Sequence, residues 1–73
     1  MTMKKETAAE VLRIMIDCGG QLNRSVRVVK GSSSNEEFRR YRSIIAKIMA
    51  DMLIGIMNPI VAEHPELKPK EMK

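Results

Sequence analysis

The single cysteine and the single histidine are the first candidates for nucleophilic or acid–base chemistry, and neither has the neighbours that such chemistry requires. Cys18 is the only cysteine and His64 the only histidine. A reactive thiolate is favoured by a nearby lysine or histidine, and a general base needs a pocket and a partner. Cys18 follows Asp17 instead, and His64 stands between Glu63 and Pro65. We therefore expect a buried Cys18, a solvated His64, no bound metal or cofactor, and no enzymatic activity.

A glycine and three serines in the middle of the chain could be mistaken for a phosphate-binding loop. Gly31 to Ser34 lack the Gly-Lys-Ser/Thr ending that such a loop uses to hold phosphates. The segment fits a polar linker that ends in a helix cap, and the alternative is a phosphorylation site. A linker predicts a turn between two helices.

Basic side chains are concentrated around this linker. Residues 23–47 contain seven basic side chains against two acidic ones, within a net charge of +4 for the whole chain. Such a patch could contact the phosphates of a nucleic acid or another polyanion, whereas the alternatives are solvated arginines or an acidic protein partner. The candidate anion-binding residues are Arg24, Arg27, Arg39, Arg40 and Arg42.

The length predicts one small domain that needs help to bury its apolar surface. A chain of 73 residues hides only about 60–65% of the surface that its unfolded form exposes. Small domains compensate with disulfides, metals or association, and a single cysteine and a single histidine exclude the first and disfavour the second. Self-association, a protein partner or very good packing of the helices remains as the source of stability.

Apolar residues at alternating spacings of three and four predict the first helix, at about residues 4–30. They include Ala8, Leu12, Met15, Gly19 and Leu22. Each glycine inside a helix costs about 1 kcal/mol relative to alanine, so Gly19–Gly20 could kink or break it. Because the apolar phase continues unshifted across the pair, we expect a continuous helix. We also expect Ile48 of the opposing helix to lie against Gly19.

The turn at about residues 31–34 has signals from both flanking helices. Gly31 suits a left-handed position just after a helix end. Ser34 followed by Glu37 predicts a capping box, in which each side chain bonds the other residue's backbone amide. Together these signals predict an antiparallel hairpin of two helices.

The second helix, at about residues 35–57, is apolar around more than half of its circumference, so one facing helix cannot cover it. About four to six large side chains would stay exposed to water, and burial of each would contribute roughly 1.5–3 kcal/mol of stability. We therefore expect an all-α hairpin that dimerises into a four-helix bundle and acts as an interaction or adaptor protein. The predicted interface consists of Ile45, Ile48, Met49, Met52, Leu53 and Ile56.

The remaining residues, 58–73, predict a proline-containing tail. Pro59 should end the second helix, and Pro65 and Pro69 favour an extended chain. The apolar stretch from Ile44 to Ala62 approaches membrane-spanning length, but Lys47 and Asp51 in its middle would each cost about 2.5–3.5 kcal/mol at a bilayer centre. We expect no membrane span and, with no credible signal peptide, a cytoplasmic location.

Overall fold

The computed structural model describes residues 2–69, which form an antiparallel helical hairpin. Helix α1 spans Lys5–Ser32, and helix α2 spans Asn35–Met52. No strand occurs among these residues, so the predicted all-α, two-helix architecture is confirmed.

Helix α1 is continuous through Gly19–Gly20, as the unshifted apolar phase predicts. The helix runs two residues further than expected, and Gly31 lies inside its last turn. The predicted left-handed conformation of Gly31 is therefore wrong, because no described glycine has a positive φ. The chain instead leaves the helix through Ser33, in an extended conformation that any residue adopts.

The predicted capping box at the start of α2 is present. The Glu37 amide donates to Oγ of Ser34 at 3.2 Å, and the Ser34 amide donates to Oε1 of Glu37 at 3.3 Å. Two amides that have no partner within the helix are thereby satisfied. Only Ser33 and Ser34 separate the two helices, so the turn is shorter than the predicted 31–34.

The second helix does not stop before Pro59, and this prediction is wrong. A π-helical turn, Leu53–Met57, follows α2 and leads directly into helix α3, Asn58–Glu63. In this turn the Asn58 amide donates to the carbonyl of Leu53, five residues earlier. A proline inside a regular helix lacks an amide and clashes with the preceding turn, whereas a wider turn accommodates the ring.

The main hydrophobic core lies at the open end of the hairpin, away from the turn. It consists of Ala8 and Leu12 from α1, Met57 from the π-helical turn and Ile60 from α3. Ile60 is 1% exposed. Continuation of the helix past Pro59 therefore supplies Ile60, and the π-helical turn before the proline supplies Met57.

Backbone and side-chain hydrogen bonds join the two ends of the described chain. Nε2 of His64 donates to the carbonyl of Met3, and the Met3 amide donates to Oε1 of Glu63, each at 2.8 Å. The expectation of a solvated His64 is therefore wrong. A 3-10 turn at Pro65–Leu67 also replaces the predicted extended tail, and the part of that tail beyond residue 69 lies outside the described residues.

A salt bridge lies beside these bonds. Nζ of Lys5 is 3.6 Å from the carboxylate of Glu66. A hydrogen bond from its own backbone lowers the pKa of Glu66, and the charge of Lys5 acts in the same direction. Both groups are exposed, so we attribute the fixation of the N-terminal segment mainly to the His64 and Glu63 bonds.

Candidate interaction surface

Half-buried side chains form most of the seam between α1 and α2. Ile45 is buried at 5% exposure, so it packs within the hairpin. At the turn end, the Tyr41 hydroxyl donates to Oγ of Ser25 at 2.8 Å. Met49 lies opposite Gly19, where a Cβ would be 3.9 Å from Cε of the methionine. The seam fixes which sides of the two helices stay uncovered.

Met49, and not Ile48, is thus the neighbour of Gly19, which corrects the expected register. Ile48 is 42% exposed. A strict seven-residue repeat makes position 48 follow 45 on the seam, but a straight helix has 3.6 residues per turn and drifts away from that repeat. The drift moves the seam to 49 and leaves Ile48 on one side.

The six residues predicted as an interface do not share one surface. Ile45 faces α1, and Ile48 lies to one side of the seam. Met49, Met52 and Leu53 line a groove on the other side, and Ile56 is half-buried beside the open-end core. The hairpin therefore has two uncovered apolar sides, each with its own composition.

One uncovered side is an isoleucine-rich surface, which we call the isoleucine face. Ile14, Cys18 and Leu22 of α1 line a shallow depression there with Met52. On α2, Ile44 and Ile48 lie one helical turn apart, on the same side of the helix as Tyr41. The hydrogen bond from Tyr41 to Ser25 of α1 shows that this side of α2 adjoins α1. Ile14, Ile44 and Ile48 are between 42% and 51% exposed. We define the face by Ile14, Cys18, Leu22, Ile44 and Ile48.

The opposite side is a groove of about 400 Å³, which we call the methionine groove. Methionines contribute flexible thioethers, which adapt to the shape of a ligand. Small residues, Gly19, Gly20 and Ala50, keep the groove open. Its full lining is Met15, Ile16, Gly19, Gly20, Asn23, Met49, Ala50, Met52, Leu53 and Met57.

The methionine groove continues towards the turn into a basic section. Asn23 and Met49 line both sections. The basic section adds Arg27 and Lys30 from α1 and Arg42 from α2. Nζ of Lys30 also lies 5.9 Å from the centre of the Phe38 ring, within cation–π distance. Among residues 2–69, no aspartate or glutamate lines either section.

All five arginines of the predicted anion-binding set are exposed. Arg27 and Arg42 lie at the groove, and Arg24 borders it in a depression shared with Gly20 and Arg27. Helical periodicity places Arg40 on the outer surface of the hairpin. Within residues 2–69, no carboxylate lies within 4.0 Å of any of the five. None of the five therefore forms an ion pair with Glu36 or Glu37 in the described part of the chain.

Catalytic groups do not converge in the described part of the chain. Cys18 is exposed, so the expectation of a buried thiol is wrong. Its side chain belongs to the isoleucine face, because the helix places it beside the seam and not within it. Over residues 2–69, no three side chains of the metal-binding types come together.

The second helical stretch is apolar for a surface helix. The segment Asn35–Glu63 is 29 residues long. Its most apolar stretch of 18 residues has a mean hydropathy of 1.7, and 11% of that stretch is buried. By length and composition alone it could cross a membrane. Lys47 and Asp51 lie within it and are exposed.

No known protein family, curated protein or solved structure matches this chain. Its functional interpretation therefore rests on the two apolar sides and the basic turn end.

Proposed function

We propose that this protein is a non-enzymatic interaction module that forms a homodimer through the isoleucine face. The observation that supports the proposal is the amount of apolar surface that the hairpin leaves in water. Seven large aliphatic side chains are between 37% and 66% exposed. Burial of one such side chain contributes about 1.5–3 kcal/mol, and a small domain is stable by only about 5–15 kcal/mol in total.

The isoleucine face suits a second copy of the same chain. Its five defining residues are all uncharged, so the centre of the patch meets its copy without like-charge repulsion. Asp17, which also lines the depression, is exposed and stays at the solvated rim in this arrangement. In a two-fold interface each residue near the axis faces its own counterpart or a close neighbour. Two hairpins joined in this way form a four-helix bundle.

Association with protein is favoured over insertion into a bilayer. Lys47 and Asp51 would each cost about 2.5–3.5 kcal/mol at a membrane centre. Both can remain in water when Ile44 and Ile48 pack against a second hairpin.

Sedimentation equilibrium at low micromolar concentration tests the dimer. We expect the full chain to sediment at twice its monomer mass of 8.3 kDa. Ile48→Glu should weaken the dimer more than tenfold, because each interface then buries two carboxylates. A folded wild-type monomer at this concentration would exclude the proposal.

A matched variant separates the face from a general loss of hydrophobicity. Ile54→Glu makes the same change in the same helical stretch, at a side chain that is 66% exposed and outside the isoleucine face. We expect it to leave the dimer intact. Circular dichroism should show unchanged helix content for both variants, because both positions are exposed. Equal dissociation by Ile54→Glu would place the interface elsewhere.

A second candidate function is nucleic-acid or polyanion binding through the turn end. It is supported by the exposure of Arg39, Arg40 and Arg42 and by the lack of a close carboxylate among the described residues. Against it, Tyr41 is half-buried and its hydroxyl is bonded to Ser25, so it is poorly placed to stack on a base.

Titration with duplex and single-stranded oligonucleotides over a range of salt distinguishes this candidate. Phosphate contacts predict an affinity that falls with salt, with a slope that decreases when the three arginines become glutamate. No detectable binding at low salt would eliminate it.

A further inference from the structure

We propose that the methionine groove binds an acidic amphipathic helix of a partner protein, which packs as a third helix between α1 and α2. The proposal goes beyond homodimerisation, since it assigns the other side of the hairpin to a different partner. The dimension, composition and charge of the groove support it. Met52 borders both sides of the hairpin, and the other residues that line the groove are separate from the isoleucine face.

The groove has the length of a short helix. Its two sections extend along α1 from Met15 to Lys30, a distance of about 22 Å at about 1.5 Å per residue. A bound helix of about 15 residues would fill it. Such helices dock by apolar side chains at spacings of three and four.

The floor of the groove permits close approach. Within the described structure, nothing lies within 4 Å of a Cβ built at Gly20, and at Gly19 only Met49 does, at 3.9 Å. The backbone of α1 is therefore accessible from this side. Met15, Met49 and Met52 flank it with side chains that can repack around different anchors.

The charge of the groove indicates that its partner is acidic. The basic section has Arg27, Lys30 and Arg42, and no acidic residue from the described part of the chain lines the groove along its length. A second copy docked by the same groove would bring three more basic side chains and no carboxylate. A helix with apolar anchors over the methionines and glutamates over the basic section would complement both sections.

Designed peptides supply the probe for this proposal. The first is a 15-residue helix with leucines at positions i, i+4, i+7 and i+11 and four glutamates in its first two turns. The second has lysine in place of each glutamate. We expect the glutamate peptide to bind the full chain at least tenfold more tightly by isothermal titration calorimetry. Equal affinity for the two peptides, or no binding of the glutamate peptide, would overturn the proposal.

Methionine methyl resonances locate the bound peptide. In protein labelled with ¹³C at the methionine methyl groups, Met15, Met49 and Met52 should shift on addition of the glutamate peptide. Met3, which packs against the open-end core, should not shift. Shifts confined to methionines outside the groove would contradict the assigned site.

Gly20→Leu fills the groove and should weaken peptide binding more than tenfold. Its matched control is Gly31→Leu, the same substitution at another helical position with open space around it, outside the groove lining. Arg27→Glu with Arg42→Glu should abolish the preference for glutamate over lysine. The control pair, Arg40→Glu with Lys47→Glu, changes net charge equally at exposed positions outside the groove lining and should retain the preference.

The test of peptide binding in the groove is independent of the test of the homodimer. Ile48→Glu should dissociate the dimer and leave peptide binding unchanged, whereas Gly20→Leu should do the reverse. Dissociation of the dimer by the peptide would show that a second copy fills the groove. Binding of oligonucleotides that is lost on Arg27→Glu and Arg42→Glu, without methionine shifts by the peptide, would make the basic section a polyanion site. Either result would overturn the proposal.

Discussion

The Tyr41 hydroxyl donates to Oγ of Ser25, and Oγ of Ser25 in turn donates to the carbonyl of Leu22 at 2.6 Å. These bonds join α2 to α1 at the turn end, far from the open-end core. Apolar packing is thin there, since Ile45 is the only residue of the described α2 that is buried. The bonded pair therefore fixes the rotation of α2 about its own axis, and with it the side on which Ile44 and Ile48 are presented.

We predict that Tyr41→Phe lowers the free energy of unfolding by about 1 kcal/mol. The ring still packs, but one hydrogen bond between the helices is lost, and such a bond contributes about 0.5–1.5 kcal/mol. Urea unfolding followed by circular dichroism measures the difference. Ser25→Ala removes the same bond, and the double variant should cost little more than either single one. Fully additive losses would show that the two residues act independently.

We predict that Ser34→Ala costs about 1 kcal/mol, since the hydroxyl accepts a hydrogen bond from the Glu37 amide. The cap lies at the turn, so the oligomeric state should not change. Chemical denaturation and sedimentation measure the two quantities. Ser33→Ala is a suitable control, because Ser33 lies beside the cap and outside it. A loss of under a few tenths of a kcal/mol would mean that α2 begins elsewhere in solution.

Gly20→Ala should stabilise the protein by about 1 kcal/mol, because alanine is the better helix former and the site is open. Gly19→Ala should do much the same, since an added Cβ meets only Cε of Met49 at an ordinary contact distance. The overpacking that the expected Ile48 would cause does not arise, because the flexible end of Met49 faces Gly19 instead. Thermal melting monitors both variants. Destabilisation by Gly19→Ala would mean that another backbone packs directly against this position.

The exposed thiol of Cys18 reports on the proposed dimer interface. Cys18 is exposed in a single chain, and a second copy on the isoleucine face would cover it. We predict slow alkylation by iodoacetamide in the wild type and at least tenfold faster alkylation in Ile48→Glu, measured by mass spectrometry. Fast alkylation in both proteins would place the interface away from this face.

His64→Ala should release the N-terminal segment from the open end. The variant loses the bond from Nε2 to the Met3 carbonyl, while Glu63 still accepts from the Met3 amide. We predict faster trypsin cleavage after Lys4 and Lys5, with little change in cleavage after Arg24. Equal acceleration at all three sites would indicate global destabilisation and not local release.

The sequence predicts the local structure of this protein well because that structure depends on near neighbours. A hydroxyl and a carboxylate three residues apart form the capping box at Ser34 and Glu37, and the unshifted apolar phase indicates a continuous α1. Interactions within a few residues determine these features, so the sequence alone is sufficient.

Tertiary structure decides which residues face each other. Regular helical periodicity starting from Ile45 would place Met57 about 120° away from the seam. The π-helical turn, which accommodates Pro59, rotates the following residues back by about 90° and brings Met57 and Ile60 onto Ala8 and Leu12. His64 then reaches Met3, some sixty residues away in the chain. A bulge and a long-range contact have no short sequence signature, because each depends on the packing of both helices.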